Sequence, residues 1–313
     1  MRTFLLVGNY GVGNLGDEAL KDYFLRAFPD VRWRVVSAHP AQGELPRLPA
    51  GFRSLFTPWW RTLAALYSAQ GMVFGGGTLF TDIESVRACF LWWVHACAAC
   101  LFRKPVVLAF QGVGPFRTKI GEWLARRVCR RAAFISVRDE ASRMRLESWK
   151  LNKNVIQSFD PVVLLLQSAQ RLESAQNVFV IIPRNTADVS FLDRATRETE
   201  KRAPHDIVVL SLKPGDRTEQ TWMRRIVSVL GGRARVVAAR SLTDVVREVS
   251  RASFVLSQRY HGALIARVLD REVEVIPQGA GDKLEALPSA ADMPSCISLA
   301  REGEARLRSF LLR

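Results

Sequence analysis

The residues best placed to do chemistry lie in the second half of the chain, in the segment Ser257-Gln-Arg259-Tyr-His261-Gly262. Histidine is the most common general acid or base near neutral pH, and a neighbouring guanidinium can bind a carboxylate or a phosphate. In an extended segment, residues two apart point to the same side, so Arg259 and His261 would reach the same space. Lys283 adds a third positive or titratable group after a later loop. This grouping favours a catalytic histidine in an anion-binding site over a histidine that only caps or packs a helix.

Two more arginines follow predicted strands and are candidates for the same anion. Arg184 comes directly after Ile182-Pro183, and Arg138 lies in Ser136-Val-Arg138-Asp139, where a strand passes into a basic helix. Arg138 has two interpretations that the sequence leaves open. It either binds a phosphate or carboxylate through two hydrogen bonds, or it organises the turn together with Asp139.

The first strand-to-helix turn is rich in glycine and spells a GxGxxG pattern with Gly11, Gly13 and Gly16. Glycines there let the backbone approach an anion at a helix N-terminus, where Asn14 and Asp17 also lie. A dinucleotide site also needs an acidic residue about 20 positions further on. This chain has Ser37-Ala38-His39 at that place, so the pattern does not favour NAD.

Two further glycine-rich segments follow later strands of the first half. They read Gly75-Gly76-Gly77-Thr-Leu-Phe-Thr-Asp82 and Gln111-Gly112-Val-Gly114-Pro115. Ligands of open α/β sheets gather at the carboxyl ends of the strands, so we expect these loops and Ser136 to line a ligand cleft. The alternative is that the glycines only make tight turns between strands and helices.

The elements that would position these residues alternate between short apolar runs and amphipathic segments, which is typical of βαβ units and parallel sheets. The first half has predicted strands at Phe4–Val7, Trp33–Ser37, Met72–Phe74, Val106–Phe110 and Phe134–Val137. The second half has predicted strands at Val178–Ile182, Ile207–Leu212, Val236–Ala239, Phe254–Ser257 and Val273–Ile276. Helices are expected between them, including Phe191–Arg202, Glu219–Leu230, Thr243–Arg251 and Gly262–Leu269.

The length of 313 residues predicts two domains. We expect a Rossmann-like acceptor domain over residues 1–168 and a Rossmann-like donor domain over residues 177–300, facing each other across a cleft. The polar segment 167–177 is the predicted linker. Residues 301–313 are expected to form a C-terminal helix that packs back on the first domain.

Composition restricts the partners and the compartment. The 45 Lys and Arg against 30 Asp and Glu give a net charge of +15, which favours anionic partners, but no nucleic-acid-binding pattern accompanies it. Five cysteines and a first strand that starts at residue 3 predict a cytoplasmic protein without disulfides. Cys97 and Cys100 have redox or metal spacing, but no second pair completes a zinc site, so we expect buried structural thiols.

Two helices of the first half raise the question of a membrane. Residues 88–102 are strongly apolar but too few to span a bilayer, which takes roughly 20 residues, so a buried helix is expected. Their tryptophans leave peripheral contact with the inner membrane as the alternative. The arginines at 126, 127, 130 and 131 share a helix whose face is either solvated or meets lipid phosphates.

Taken in order, eight short motifs resemble the polysaccharide pyruvyl transferase family. They are GNYGVGNLGDEAL, FGGGTLFTD, QGVGP, SVRDEAS, FDP, IIPR, SQRYHG and the later Lys283, and they span nearly the whole chain. The resemblance implies a fold like the two-domain GT-B glycosyltransferases. It also implies phosphoenolpyruvate as the donor, no metal or other cofactor, and a ketal-linked pyruvyl group on a sugar of a cell-wall or exported polysaccharide precursor.

The matching motifs also imply roles for single residues. His261 resembles the catalytic histidine of the family, and Arg138, Arg259 and Lys283 resemble its donor-binding positions. The acceptor would be a glycan, with a lipid diphosphate as one form of carrier. Two other functions stay open: a glycosyltransferase that uses a nucleotide sugar, and a non-catalytic binder that uses the basic surface on a membrane or a nucleic acid.

Overall fold

The computed structural model describes residues 1–83, 85–167, 176–279 and 282–313, and it divides the chain into two α/β units. The first unit comprises Met1–Val12, Leu20–Leu164 and Cys296–Arg313, and the second comprises Gly13–Ala19 and Leu165–Ser295. Residues 168–175, most of the predicted linker, lie outside the described residues. The second unit therefore includes part of the first glycine-rich turn, which is far away in the sequence.

The first unit is built on a seven-stranded parallel sheet with the order β3-β2-β1-β4-β5-β6-β7. In register, Val7 lies beside both Val36 and Phe74, so the carboxyl ends of neighbouring strands meet at one edge. The strands are β1 (Arg2–Val7), β2 (Val31–Ser37), β3 (Leu45–Pro46), β4 (Gly71–Phe80), β5 (Val106–Val113), β6 (Phe134–Val137) and β7 (Val155–Gln157).

Helices cover both faces of this sheet, which is why β4 and β5 are apolar over almost their whole length. On one face, Tyr23, Phe24 and Phe110 meet edge to face. The other face holds a second apolar cluster around Phe74 and Trp92. The helices that belong wholly or mostly to this unit are α1 (Leu15–Ala27), a 3-10 helix (Phe52–Phe56), α2 (Trp60–Ser68), α3 (Val86–Leu101), α4 (Lys119–Arg131), α5 (Glu140–Ser148), α6 (Val162–Leu166) and, at the C-terminus, α11 (Met293–Leu312).

The C-terminal helix α11 packs on the first unit. The Tyr23 hydroxyl donates a hydrogen bond to Glu304 over 2.9 Å, and the rings of Phe134 and Phe310 lie 5.4 Å apart. Burial, together with the Glu304 carboxylate, raises the pKa of Tyr23, so the phenol stays a neutral donor.

The second unit has a five-stranded parallel sheet with the order β10-β9-β8-β11-β12. Phe179, Phe191 and Phe254 are among the residues that form its core on one face of the sheet. The strands are β8 (Val178–Ile182), β9 (Asp206–Ser211), β10 (Ala234–Ala238), β11 (Ala252–Ser257) and β12 (Glu272–Val275). The helices are α7 (Val189–Arg202), α8 (Arg217–Val229), α9 (Leu242–Ser250) and α10 (Tyr260–Val268).

All ten predicted strands overlap strands of the structure, but two details differ. The short strands β3 and β7 were not predicted, because two and three residues at the sheet edges carry too little pattern. The strand β4 continues to Phe80 and β5 continues to Val113. Gly75, Gly76, Gly77 and Gly112 therefore lie inside strands, and the prediction that they form loops after the strands is wrong.

A buried histidine ties α3 to the segment that follows β3. His95 is fully buried, and its Nε2 accepts a hydrogen bond of 3.0 Å from the backbone N–H of Leu48. Its Nδ1 lies 2.8 Å from the carbonyl of Leu91, so Nδ1 carries the proton and donates. Burial, helped by the charge of Arg47, lowers the pKa of His95 to about 4.

This arrangement makes stability depend on pH in a defined window. The unfolded chain protonates His95 below about pH 6.5, whereas the fold requires the neutral ring until about pH 4. We therefore expect the free energy of unfolding to fall by about 3 kcal/mol as the pH drops through this range, measured by chemical denaturation. His95→Gln should flatten this dependence, and the exposed His205→Gln should not. Equal slopes in wild type and His95→Gln would contradict the assignment.

Candidate active site

The carboxyl ends of β8, β11 and β12 bring the predicted residues of the second unit to one edge of its sheet. In register, Ser257 lies beside both Ile182 and Val275, so the residues that follow these three strands are neighbours. The side-chain oxygen of Gln258 accepts a hydrogen bond of 3.2 Å from the backbone N–H of Arg184. The half-buried Arg184 is thus held beside the segment that carries Arg259 and His261.

Helix α10 begins at Tyr260, two residues earlier than predicted. The prediction that an extended segment runs through residues 259–261 is therefore wrong, and only Arg259, the N-cap residue, has extended backbone angles. Ser257 fixes this turn, because its hydroxyl accepts from the Arg259 N–H over 3.0 Å and donates to the Arg259 carbonyl over 2.9 Å. His261 follows in the first turn of the helix and is 8% exposed.

Tyr260 is the group that His261 and Lys283 share. The His261 ring meets the Tyr260 ring edge to face at 5.4 Å between centroids. The Lys283 Nζ lies 5.6 Å from the centroid of the same Tyr260 ring, within the range of a cation–π contact. The Lys283 residue is exposed. The structure thus groups the imidazole and the ammonium around one aromatic ring, and their role in a single site stays a prediction.

Arg259 has a carboxylate partner that the sequence did not reveal. Its guanidinium forms a salt bridge with Glu219, whose side chain is fully buried. Glu219 also accepts hydrogen bonds from the Ser211 hydroxyl over 2.6 Å and from the Lys213 N–H over 3.2 Å. The sequence contained only a partial signal for Glu219. Asp216 and Glu219 have the spacing expected at the start of a helix, and Asp216 is the N-cap of α8.

One glycine of the first glycine-rich turn, Gly16, lies against the His261 ring. It lies in the segment Gly13–Ala19 of the second unit, which the Leu15 N–H ties to the Leu212 carbonyl over 3.0 Å. A Cβ atom added to Gly16 would lie 1.9 Å from Nδ1 of His261 and 2.6 Å from its Cε1. Only glycine leaves room for the imidazole in this position, so the absence of a side chain at Gly16 is what lets His261 occupy it.

Other residues predicted for the first turn have local roles. The Asn14 amide donates to the Asp17 carboxylate over 2.7 Å, at the start of α1. Gly11 and Gly13 have φ angles of +75° and +74°, which glycine adopts without strain. At Gly11 an added Cβ would also lie 2.1 Å from the Ser37 hydroxyl oxygen.

Arg138 lies in the first unit and is 3% exposed. Its guanidinium donates to the buried Asp160 carboxylate over 2.7 Å and to the Thr78 hydroxyl over 2.6 Å. This geometry supports the interpretation that Arg138 organises the turn after β6. A role in donor binding stays a prediction, and Asp160, from the FDP motif, is its principal carboxylate partner.

Ser136 and Asp82, two further residues predicted for the first unit, are buried and accept hydrogen bonds from backbone N–H groups. The Ser136 hydroxyl accepts from the Phe110 N–H over 2.9 Å. Asp82 accepts from the N–H groups of Arg117 over 2.6 Å and Thr118 over 2.8 Å. Although burial alone raises the pKa of Asp82, these bonds and the Thr118 hydroxyl lower it overall, so the carboxylate stays ionised.

Glycines elsewhere in the first unit make room for neighbours. An added Cβ on Gly75 would lie 2.4 Å from the Tyr10 hydroxyl oxygen, and one on Gly112 would lie 2.6 Å from the Thr78 hydroxyl oxygen. Gly114, with φ of +76°, precedes a cis peptide bond to Pro115. Across the described ranges, no three His, Cys, Asp or Glu side chains are placed to hold a metal ion.

Comparison with solved structures defines the class of fold. The chain is similar to the Anabaena protein Alr3699/HepE in complex with UDP and glucose, with a TM-score of 0.57 and 12% identity over 99% of this chain and 95% of that one. It is also similar to the Methanocaldococcus jannaschii UDP-GlcNAc 2-epimerase in complex with UDP-GlcNAc and UDP, with a TM-score of 0.60 and 11% identity over 100% of both chains. The predicted fold class, α/β with two Rossmann-like domains of the GT-B type, is confirmed.

Sequence comparison defines the family. The family profile of polysaccharide pyruvyl transferases matches residues 14–273. The chain belongs to the polysaccharide pyruvyl transferase family, which confirms the resemblance carried by the motifs. No sequence among the curated proteins matches the chain.

The contact between Gly16 and His261 can be tested without an activity assay. We expect Gly16→Ala to lower the free energy of unfolding by about 1 to 3 kcal/mol, because the methyl group overlaps the imidazole. Chemical denaturation measures this change. In a His261→Ala background the same substitution should have no cost, because the ring is gone and alanine favours a helix.

Gly215→Ala is the matched control, because an added Cβ at Gly215 meets open space. It should leave stability within about 0.5 kcal/mol of wild type. If Gly16→Ala were as costly in the His261→Ala background as in wild type, the imidazole would not be what occupies the space beside Gly16.

Proposed function

We propose that the chain transfers the pyruvyl group of phosphoenolpyruvate onto a sugar of a cell-wall or exported polysaccharide precursor and forms a ketal. Family membership supports a transferase of polysaccharide biosynthesis. The observation that carries the finer proposal is the grouping of His261 and Lys283 around the Tyr260 ring, with Arg259 one residue away. These are the groups that a small, doubly anionic donor and a proton transfer require.

Phosphoenolpyruvate presents a carboxylate and a phosphate, so its binding site needs several fixed cations. Lys283 is the most accessible of the candidates, since its side chain is exposed next to Tyr260. Arg184 lies half-buried beside the same turn. Arg259 is committed to Glu219, so in this proposal it shapes the turn and contributes a partly compensated charge.

The reaction adds two hydroxyl groups of one sugar to C2 of the donor. A proton goes to the methylene carbon, which becomes a methyl group, and the C2–O bond to phosphate breaks as inorganic phosphate leaves. The second hydroxyl then closes the ketal and gives up its proton, so no oxidant, reductant or water is consumed. His261 is the proposed group that delivers or accepts these protons. Gly16 leaves the space that its ring occupies.

The acceptor in this proposal is a glycan carried on a lipid diphosphate. The net charge of +15 favours anionic partners of the whole protein, and a diphosphate carrier belongs to that class. The identity of the sugar follows from mass spectrometry of candidate acceptors, because forming the ketal adds the mass of one pyruvic acid less one water.

The test of catalysis is pyruvyl transfer by His261→Ala. We expect the rate to fall by a factor of about 10² to 10⁴, because a positioned acid or base contributes that much. The thermal shift produced by phosphoenolpyruvate should persist, because the cations remain. A variant that transfers pyruvyl groups at the wild-type rate would remove His261 from the mechanism.

The test of donor binding is Lys283→Ala. Loss of one charged hydrogen bond should weaken phosphoenolpyruvate binding about 10-fold to 100-fold, measured by calorimetry. Lys201→Ala removes an exposed lysine near the end of α7 and is the matched control. Unchanged donor affinity in Lys283→Ala would contradict this anion site. Stabilisation by UDP but not by phosphoenolpyruvate would instead favour a glycosyltransferase.

A further inference from the structure

The outer surface of α3 is apolar although it faces solvent. Phe90 is 39% exposed and Leu101 is 79% exposed, and the partly exposed Trp93 and Cys97 lie between them at helical spacing. The prediction of a buried helix at residues 88–102 is therefore only half right, because one face packs on the sheet and the other is open. Within the described ranges, no helix combines the length and apolar character of a membrane span.

The neighbouring helix α4 presents a stripe in which apolar residues are followed by arginines. Ile120 is 64% exposed and Trp123 is 49% exposed, and the exposed Arg127 and Arg131 continue the same face. The Arg127 guanidinium lies over the Trp123 ring at 5.0 Å from its centroid. The face thus changes from apolar to cationic within three turns.

A groove of about 180 Å³ joins the two helices. Trp93 of α3 and Trp123 of α4 form its walls, with ring centroids 6.5 Å apart. Its full lining is Trp93, Ala96, Cys97, Trp123, Arg127, Val128 and Arg131. The groove is therefore apolar inside and has two guanidinium groups at its rim. We refer to this groove and the exposed faces of α3 and α4 as the α3–α4 surface.

The charge of the α3–α4 surface is almost entirely positive. Glu122 is the one acidic residue in the sequence of the two helices, and it accepts a hydrogen bond of 2.8 Å from the Trp149 indole. The basic residues of the two helices are Arg87, Lys119, Arg126, Arg127, Arg130 and Arg131.

Two arginines of the second unit show the opposite arrangement to the arginines of this surface. Arg202 and Arg235 are each held by two carboxylates. In the part of the chain that the structure describes, Arg127, Arg130 and Arg131 have no carboxylate within salt-bridge distance. Charges of one sign that are left uncompensated next to exposed aromatic rings indicate an external partner that is both anionic and apolar.

We propose that the α3–α4 surface docks on an anionic lipid bilayer. Ile120, Trp123 and Phe90 enter the headgroup region, and Arg127 and Arg131 contact lipid phosphates. Tryptophan at the boundary and arginine on phosphate are the combination that interfacial helices use. A nucleic acid would use the arginines but gains nothing from an exposed isoleucine and leucine, so a membrane fits the surface better.

This surface lies in the first unit, whereas the candidate active site lies in the second, so the proposal does not rest on the proposed reaction. Co-sedimentation with vesicles of phosphatidylcholine, with and without phosphatidylglycerol, tests it directly. We expect binding to the vesicles that contain phosphatidylglycerol, and we expect high salt to weaken it.

Arg127→Gln with Arg131→Gln should weaken the partition onto anionic vesicles about 30-fold, since each cation near such a surface contributes about fivefold. Arg217→Gln with Arg224→Gln on α8 removes the same number of exposed charges and should leave binding unchanged. Trp123→Ala should also weaken binding. Ile120→Asn should do the same, and because Ile120 is more exposed than Trp123, this variant is less prone to a folding defect.

Three outcomes would overturn the proposal. One is the absence of any preference for phosphatidylglycerol. Another is an equal loss of binding in the α4 and α8 double variants, which would mean that net charge alone acts. The third is binding to single-stranded or duplex nucleic acid that is tighter than vesicle binding at the same salt and depends on Arg127 and Arg131.

Discussion

The candidate site depends on the interactions of one buried carboxylate, that of Glu219. It receives the Arg259 guanidinium, the Ser211 hydroxyl and the Lys213 N–H, and so joins the end of β9, the start of α8 and the turn before α10. A buried carboxylate without partners would cost several kcal/mol, and these groups together offset that cost. Arg259 is also the N-cap residue of α10, so this salt bridge lies directly before the helix that carries His261.

The first unit also has an arginine that follows a strand and pairs with a buried carboxylate. Arg138 follows β6 as Arg259 follows β11, and a fully buried aspartate, Asp160, compensates its charge. The Thr78 hydroxyl takes a further guanidinium hydrogen, so β4 is held to the same turn. In both units, an arginine after a strand thus builds the edge of the sheet as well as bringing positive charge to it.

The distribution of charge divides the surface into regions with different chemistry. On α7, Arg194 and Arg202 form ion pairs with Glu198, Glu272 and Glu274. On α4, Arg127 lies over the Trp123 ring instead. The net positive charge is therefore a poor guide to any one site until the pairing of each arginine is known.

The sequence by itself determined the local and periodic features. It determined the alternation of strands and helices, since a parallel strand buried on both faces is an apolar run, and the family, since eight motifs occur in order. It also indicated His261, Arg259 and Lys283 as candidate site residues. His261 and Lys283 contact the Tyr260 ring, and Arg259 is the residue before Tyr260. The short strands β3 and β7 could not be predicted, because so few residues carry no period.

Only the tertiary structure decided which distant groups meet. The partners Arg259 with Glu219, Arg138 with Asp160 and Gly16 with His261 are separated in sequence, and no local pattern connects them. The glycines of β4 illustrate the same limit, since they serve close packing against Tyr10 and Leu20 rather than a loop. The physical reason is that propensity and periodicity act over a few residues, whereas the partner of a buried charge or the room for a ring is set by the folding of the whole chain.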